Sequence, residues 1–309
     1  MATQTDIPSD LTDDDKAWIL QYLDANLNST ILYVLLHGIY TGILAVTLWN
    51  IFFNKCWPIR RALVVVIIFL YALITIGFAA NWAYVHYAFI DNGQSFWTVY
   101  LKLTSASQAA YWEMGIAASI STILADLYVI WCCWMVWGRR WLVVLLPILS
   151  LVCAIGSRTV VTYCSQANAL VSTMDIFLMV YTTFVLATTL YCTLLIIYRI
   201  STIAGARRGA EGQLRVYHRF IEVLVESSAL YSISLIVYLA FTIRGNLGEI
   251  YLDVIGAISK GTAPTLLVGR AAAGHTRPKD DCDESVDTSF PDFVGTLHDE
   301  LSRIPQRSP

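Results

Sequence analysis

The chain has 309 residues, of which 57% are hydrophobic and only 14% charged, and its mean hydropathy is +0.59. A soluble domain carries roughly a quarter of its residues as charges, so this composition excludes an ordinary soluble domain and points to a lipid bilayer. The net charge of -3 carries no message about partners, and no nucleic-acid partner is expected.

Residues 1–29 are acidic and polar, without a basic start or an apolar core, so no cleaved signal is expected. Within them, 12–27 opens on Thr12 and three acids and then sets Leu11, Trp18 and Tyr22 on one face. That pattern predicts a short amphipathic helix lying at the outer interface. Asn28-Ser29-Thr30 forms an acceptor triplet for N-glycosylation at Asn28, close to the first apolar run.

Seven runs of about 20 residues or more then follow, long enough to span about 30 Å of hydrocarbon: 30–53, 62–83, 115–137, 141–162, 173–198, 220–243 and 250–269. They predict an all-α, seven-transmembrane helix bundle over 30–270. Trp49, Trp57, Trp82, Tyr84, Trp134, Trp137, Trp141 and Tyr198 stand at run ends, where amphipathic rings sit among headgroups. Loops 54–61, 138–140 and 199–219, with the stretch from Arg270 to Lys279, hold thirteen Lys and Arg; Lys16, Lys102 and Arg244 are the three on the other side. Short basic loops stay in the cytoplasm, so the N-terminus is expected outside and the C-terminus inside. Segment 84–114 is long and aromatic, either a lid over the helix ends or an interfacial anchor for runs two and three. The tail 271–309 is polar and aperiodic, and disorder is expected there.

Ionisable residues inside the runs carry the only chemistry, because each costs a few kcal/mol at the bilayer centre and has to face protein or water. Asp126 lies about 17 Å along run three and Lys260 about 15 Å along run seven, both near the midplane. Glu226 enters run six about 9 Å from its end, with Glu222 one turn away on the same face. Asp126 or Glu226 is therefore the expected partner of Lys260. Arg158, Asp175 and Asp253 form a second polar group nearer the outer surface. Asp253, Gly256, Lys260 and Pro264 share one face of run seven, and Pro264 frees the Lys260 carbonyl, which predicts a kink. These charges either lock helix packing or line a polar cavity; sequence leaves both readings open.

Histidines 37, 86, 218, 275 and 298 are scattered, so a zinc hydrolase is excluded and neither a metal nor a cofactor is expected. The seven cysteines provide only Cys164 outside, hence no outer disulfide. Lys260 with Asp126 matches the bare lysine and carboxylate pattern of a retinal protein. Asp253, however, stands seven residues from the lysine where the microbial type has four, which makes this a remote alternative. Run three ends "CCWMVWGRRW" without an acid-Arg-Tyr triplet, and run seven lacks Asn-Pro-x-x-Tyr, so rhodopsin-type marks are missing.

"ADLYVIWCCWMVWGRRW" at 125–141, with Pro147 after it, and "KGTAPTLLVGRAAAGHTRP" at 260–278 resemble a group of seven-helix membrane proteins expanded in basidiomycete fungi. The resemblance covers most of 30–278 and implies the fold and a fungal origin. The chain departs from that pattern at Cys132, where an arginine is expected. No enzyme activity is expected. The reading is a receptor-like sensor of the plasma membrane, with a small-molecule ligand and a cytosolic signalling partner engaged through Arg207, Arg208 and Arg215; the alternative is a transporter or lipid-handling protein.

Overall fold

The structure, a computed structural model, describes residues 11–53, 61–104, 108–166, 171–206 and 228–274. Among them there is no strand; the fold is all-helical. In chain order the helices are α1 (Asp13–Phe53), α2 (Arg61–His86), α3 (Phe96–Thr104), α4 (Gln108–Val136), α5 (Trp141–Gln166), α6 (Val171–Ala206), α7 (Ser228–Ile243) and α8 (Glu249–Gly274). Helices α1, α2, α4, α5 and α6 are long and apolar enough to cross a membrane. The described part of α7 is apolar but shorter, and α8 carries Asp253, Lys260 and several hydroxyls. Large apolar side chains stay exposed along the long helices, Leu142 to 86%, an arrangement that suits lipid.

α1 corrects one expectation. It is continuous over 41 residues, with no break between an interfacial helix and a first span. At about 1.5 Å per residue it is roughly 60 Å long, twice the hydrocarbon thickness. The Ser29 and Thr30 hydroxyls each donate to the Asn26 carbonyl at 2.9 Å, so these polar residues bond back along the helix instead of turning the chain. Thr12 caps the start: its Oγ1 accepts from the Asp15 N–H at 3.2 Å while Asp15 Oδ2 accepts from the Thr12 N–H at 3.2 Å, a reciprocal capping box. Asn28 is exposed on this helix and Thr30 is buried, a helical setting unlike the surface loop in which glycosylation acceptors occur.

The aromatic segment after α2 is largely helical. A π-helical turn, Tyr87–Asp91, leads into α3, where Ile19 and Leu23 of α1 pack with Val99 and Leu103. Trp18 stacks on Tyr22 at 5.6 Å, and both meet Tyr100 edge-on. The amphipathic face of α1 is thus covered by α3. The Tyr84 hydroxyl reaches the last carbonyls of α3, on Lys102 and Leu103, at 2.9 and 2.8 Å, groups a helix end leaves without partners.

α4 ends in a tight reversal. The Arg139 N–H donates to the Trp134 carbonyl and the Gly138 N–H to that of Met135, with Gly138 at φ 64°. The same pair of bonds closes α7 around Gly245, at φ 59°; glycine adopts this left-handed cap without a Cβ clash.

α4 is the central helix, touching α2, α5, α6 and α8, while α5 runs along α6 and α1 along α8. With little hydrophobic drive between helices in lipid, close approach depends on small residues. A Cβ on Gly261 would strike Ile74 Cδ1 and sit 3.0 Å from the Tyr40 ring; one on Gly269 would sit 2.7 Å from Thr47 Oγ1. These glycines let α8 seat against α1. α8 remains helical through Pro264.

Candidate functional site

Lys260 projects from α8 into the bundle and is 9% exposed. Its Nζ donates to Thr122 Oγ1 of α4 at 3.0 Å, and that hydroxyl donates to the Ala118 carbonyl at 2.9 Å. The expected ion pair with Asp126 is not formed: among the described residues the ion pair within 4.0 Å is Lys16 with Asp13. Asp126 lies one turn beyond Thr122 on the same face of α4, so the flexible lysine stem meets the hydroxyl before it reaches the acid. Glu222 and Glu226 lie outside the described residues.

A cavity of about 480 Å³ ends on this lysine. Asn26 of α1, Asn81 of α2 and Glu249 at the start of α8 line it as well, with Asp253 exposed on α8 between Glu249 and Lys260. Tyr33, Tyr181, Tyr231 and Tyr238 supply aromatic walls from α1, α6 and α7. The cavity occupies the half of the bundle that holds the N-terminal part of α1. Beyond Lys260 the described residues of the opposite half pack together, with Leu44, Ile67, Cys133, Val144, Ile196 and Leu267 in one apolar cluster. Polar and apolar groups line this cavity in comparable measure, so it is wetter than the mainly apolar pockets that bind drug-sized ligands and suits a polar or amphipathic one.

Arg158 of α5 closes one side. Its Nε donates to Ser119 Oγ at 3.3 Å, and its guanidinium lies 5.7 Å from the Tyr181 ring centre. The structure therefore brings Arg158 and Asp253 to the same cavity as Lys260. The side chain of Asp175, in the first turns of α6, lies outside the described residues, as do Arg207, Arg208 and Arg215.

Asp126 lines a different space. It is 2% exposed, and its Oδ2 has no hydrogen-bond partner among the described residues. It borders a mainly apolar cleft of about 410 Å³ between α4, α5 and α6. The cleft and the cavity share Gly115, Ser119, Thr122, Arg158, Tyr181 and Val185 as a common wall.

Thr122 and Ser119 are the functional groups that reading the charges alone misses. Their signal is present in the sequence: Gly115, Ser119, Thr122 and Asp126 are spaced 4, 3 and 4, one face of a helix. The tyrosine walls carry no such signal, since aromatic residues are spread along every run. No protein-family model, curated protein or solved structure matches the chain.

Proposed function

We propose that the chain is a seven-span sensor of the plasma membrane whose ligand occupies the cavity above Lys260. On this reading α7 and α8 are spans six and seven, with the polar face of α8 turned inward. The placement of the cavity carries the proposal: it reaches Lys260 from the half that holds the N-terminal part of α1, and among the described residues the other half is filled by apolar packing. An alternating-access transporter also opens one half at a time, so solute accumulation, tested below, is the measurement that separates transport from sensing. The thirteen basic residues of the opposite loops support an N-terminus outside, which turns the cavity to the exterior. The motifs at 125–141 and 260–278, resembling the basidiomycete seven-helix group, agree with that topology.

Lys260 and Arg158 beside Glu249 and Asp253, among tyrosines, favour a small ligand bearing both hydrogen-bond donors and acceptors. Its binding would shift the helix ends that carry Arg207, Arg208 and Arg215, where a cytosolic partner reads the change. Thermal unfolding of the purified full chain in lipid nanodiscs, screened against a library of small polar and amphipathic compounds, tests this. A compound that raises the midpoint for the native chain but not for Asp253→Asn or Lys260→Met is the expected result. A compound that proteoliposomes of the chain alone accumulate would replace the sensor with the transporter or lipid-handling reading.

A further inference from the structure

We propose that the cleft between α4 and α5 is a portal from the bilayer for an amphiphile with a neutral hydroxyl head, which donates its hydrogen bond to Asp126. This deepens the sensor reading, on which it rests for passage into the inner cavity.

The mouth of the cleft is apolar and outward-facing, with Ile116, Ile120 and Ile155 exposed to 52, 40 and 39%. All three belong to helices apolar enough to cross the membrane, so lipid is the medium that reaches them. Inside, the serine and threonine hydroxyls have spent their protons. Ser119 donates to the Gly115 carbonyl, Thr122 to Ala118, Thr159 to Ile155 and Thr162 to Arg158, at 2.6 to 2.9 Å. Ser119 and Thr122 also accept from Arg158 and Lys260. The unfilled position is Asp126 Oδ2, buried and without a partner among the described residues. As a carboxylate it accepts, so the missing group is a donor; the ether comparison below tests that form, since a carboxylic acid there would donate to an ether as well.

The surrounding charge selects the kind of donor. Arg158 and Lys260 stand on the inner side of Asp126, and an ammonium head would meet both. A carboxylate or phosphate head would face Asp126 itself. A hydroxyl satisfies the acceptor without adding a charge. The wall shared with the inner cavity is spanned by the 3.3 Å bond from Arg158 to Ser119, and swinging that side chain joins the two spaces.

The test is photo-crosslinking of the purified full chain in nanodiscs with a long-chain alcohol carrying a diazirine in its tail. Adducts are expected in 116–123 and 151–159, competed by the unlabelled alcohol about tenfold better than by its methyl ether, the worth of one hydrogen bond. Ile155→Trp, which fills the mouth from its lipid-facing side, should cut labelling about tenfold. Asp126→Leu should abolish the preference for alcohol over ether. If that variant does not fold, the native ratio still decides. Equal competition by the ether, stronger competition by the matching amine, or adducts only on other helices overturns the portal. The two proposals separate: if the labelling pattern fails while a compound still stabilises the chain through the Lys260 cavity, the sensor stands and the portal falls; if labelling follows the pattern above while no compound is found, the hydroxyl site stands without the sensor.

Discussion

Lys260 is held by a hydroxyl, Thr122 Oγ1 at 3.0 Å, and among the described residues it has no carboxylate within ion-pair distance. A hydrogen bond to a charged group contributes about 1.5–3 kcal/mol, and leaving a buried ammonium without it costs at least as much. Thr122→Val should therefore lower thermal stability in detergent, and the double-mutant cycle with Lys260→Met should show coupling of about 1 kcal/mol or more. The cycle of Lys260→Met with Asp126→Asn should give the smaller coupling. Stronger coupling to Asp126 than to Thr122 would mean that the lysine reaches past the hydroxyl to the acid.

α8 illustrates how a polar helix is seated in an apolar bundle. One face presents Glu249, Asp253 and Lys260 to the cavity, while Gly261 and Gly269 press against Tyr40 and Thr47 of α1. Gly261→Leu has no space to occupy and should cost about 1–3 kcal/mol, read as a lower unfolding temperature. Gly256→Ala is the control: its Cβ would meet only Ser234 Oγ at 3.8 Å, an ordinary contact, and stability should hold. α1 and α3 form a second such unit, in which Trp18, Tyr22 and Tyr100 bind the overhanging start of α1 to the short helix after α2. The aromatic segment is thereby tied to α1 beside the cavity rim at Asn26.

For the whole molecule, the cavity and the packed half make opposite statements about water. In a Cys164→Ser background, Asp253→Cys should react with a membrane-impermeant maleimide added to intact cells, because Asp253 is exposed within the cavity. Ile196→Cys, 1% exposed in the packed half, should stay unmodified until the protein is denatured. Reaction of Asp253→Cys only after permeabilisation would reverse the orientation, and reaction of Ile196→Cys would replace the one-sided cavity with a path through the bundle.

Membrane class, helical fold and the positions of five long apolar helices were legible in the sequence, because hydropathy and length accumulate along the chain and need no partner. The depth of Lys260 beside the Asp126 region was legible too, since the rise per residue places both. The partner was not: Thr122 and Lys260 are 138 residues apart, and which side chain meets the ammonium depends on how two helices are rotated against each other. The continuity of α1 escaped for a related reason. The sequence sets an amphipathic helix at 12–27 apart from a first run at 30–53, whereas in the fold the Ser29 and Thr30 hydroxyls close on the Asn26 carbonyl and α3 packs on the face that carries Tyr22. Charge and hydropathy alone chose the solvent; helix rotation and close packing decided that Asp126 borders one space and Lys260 another, with Arg158 between them.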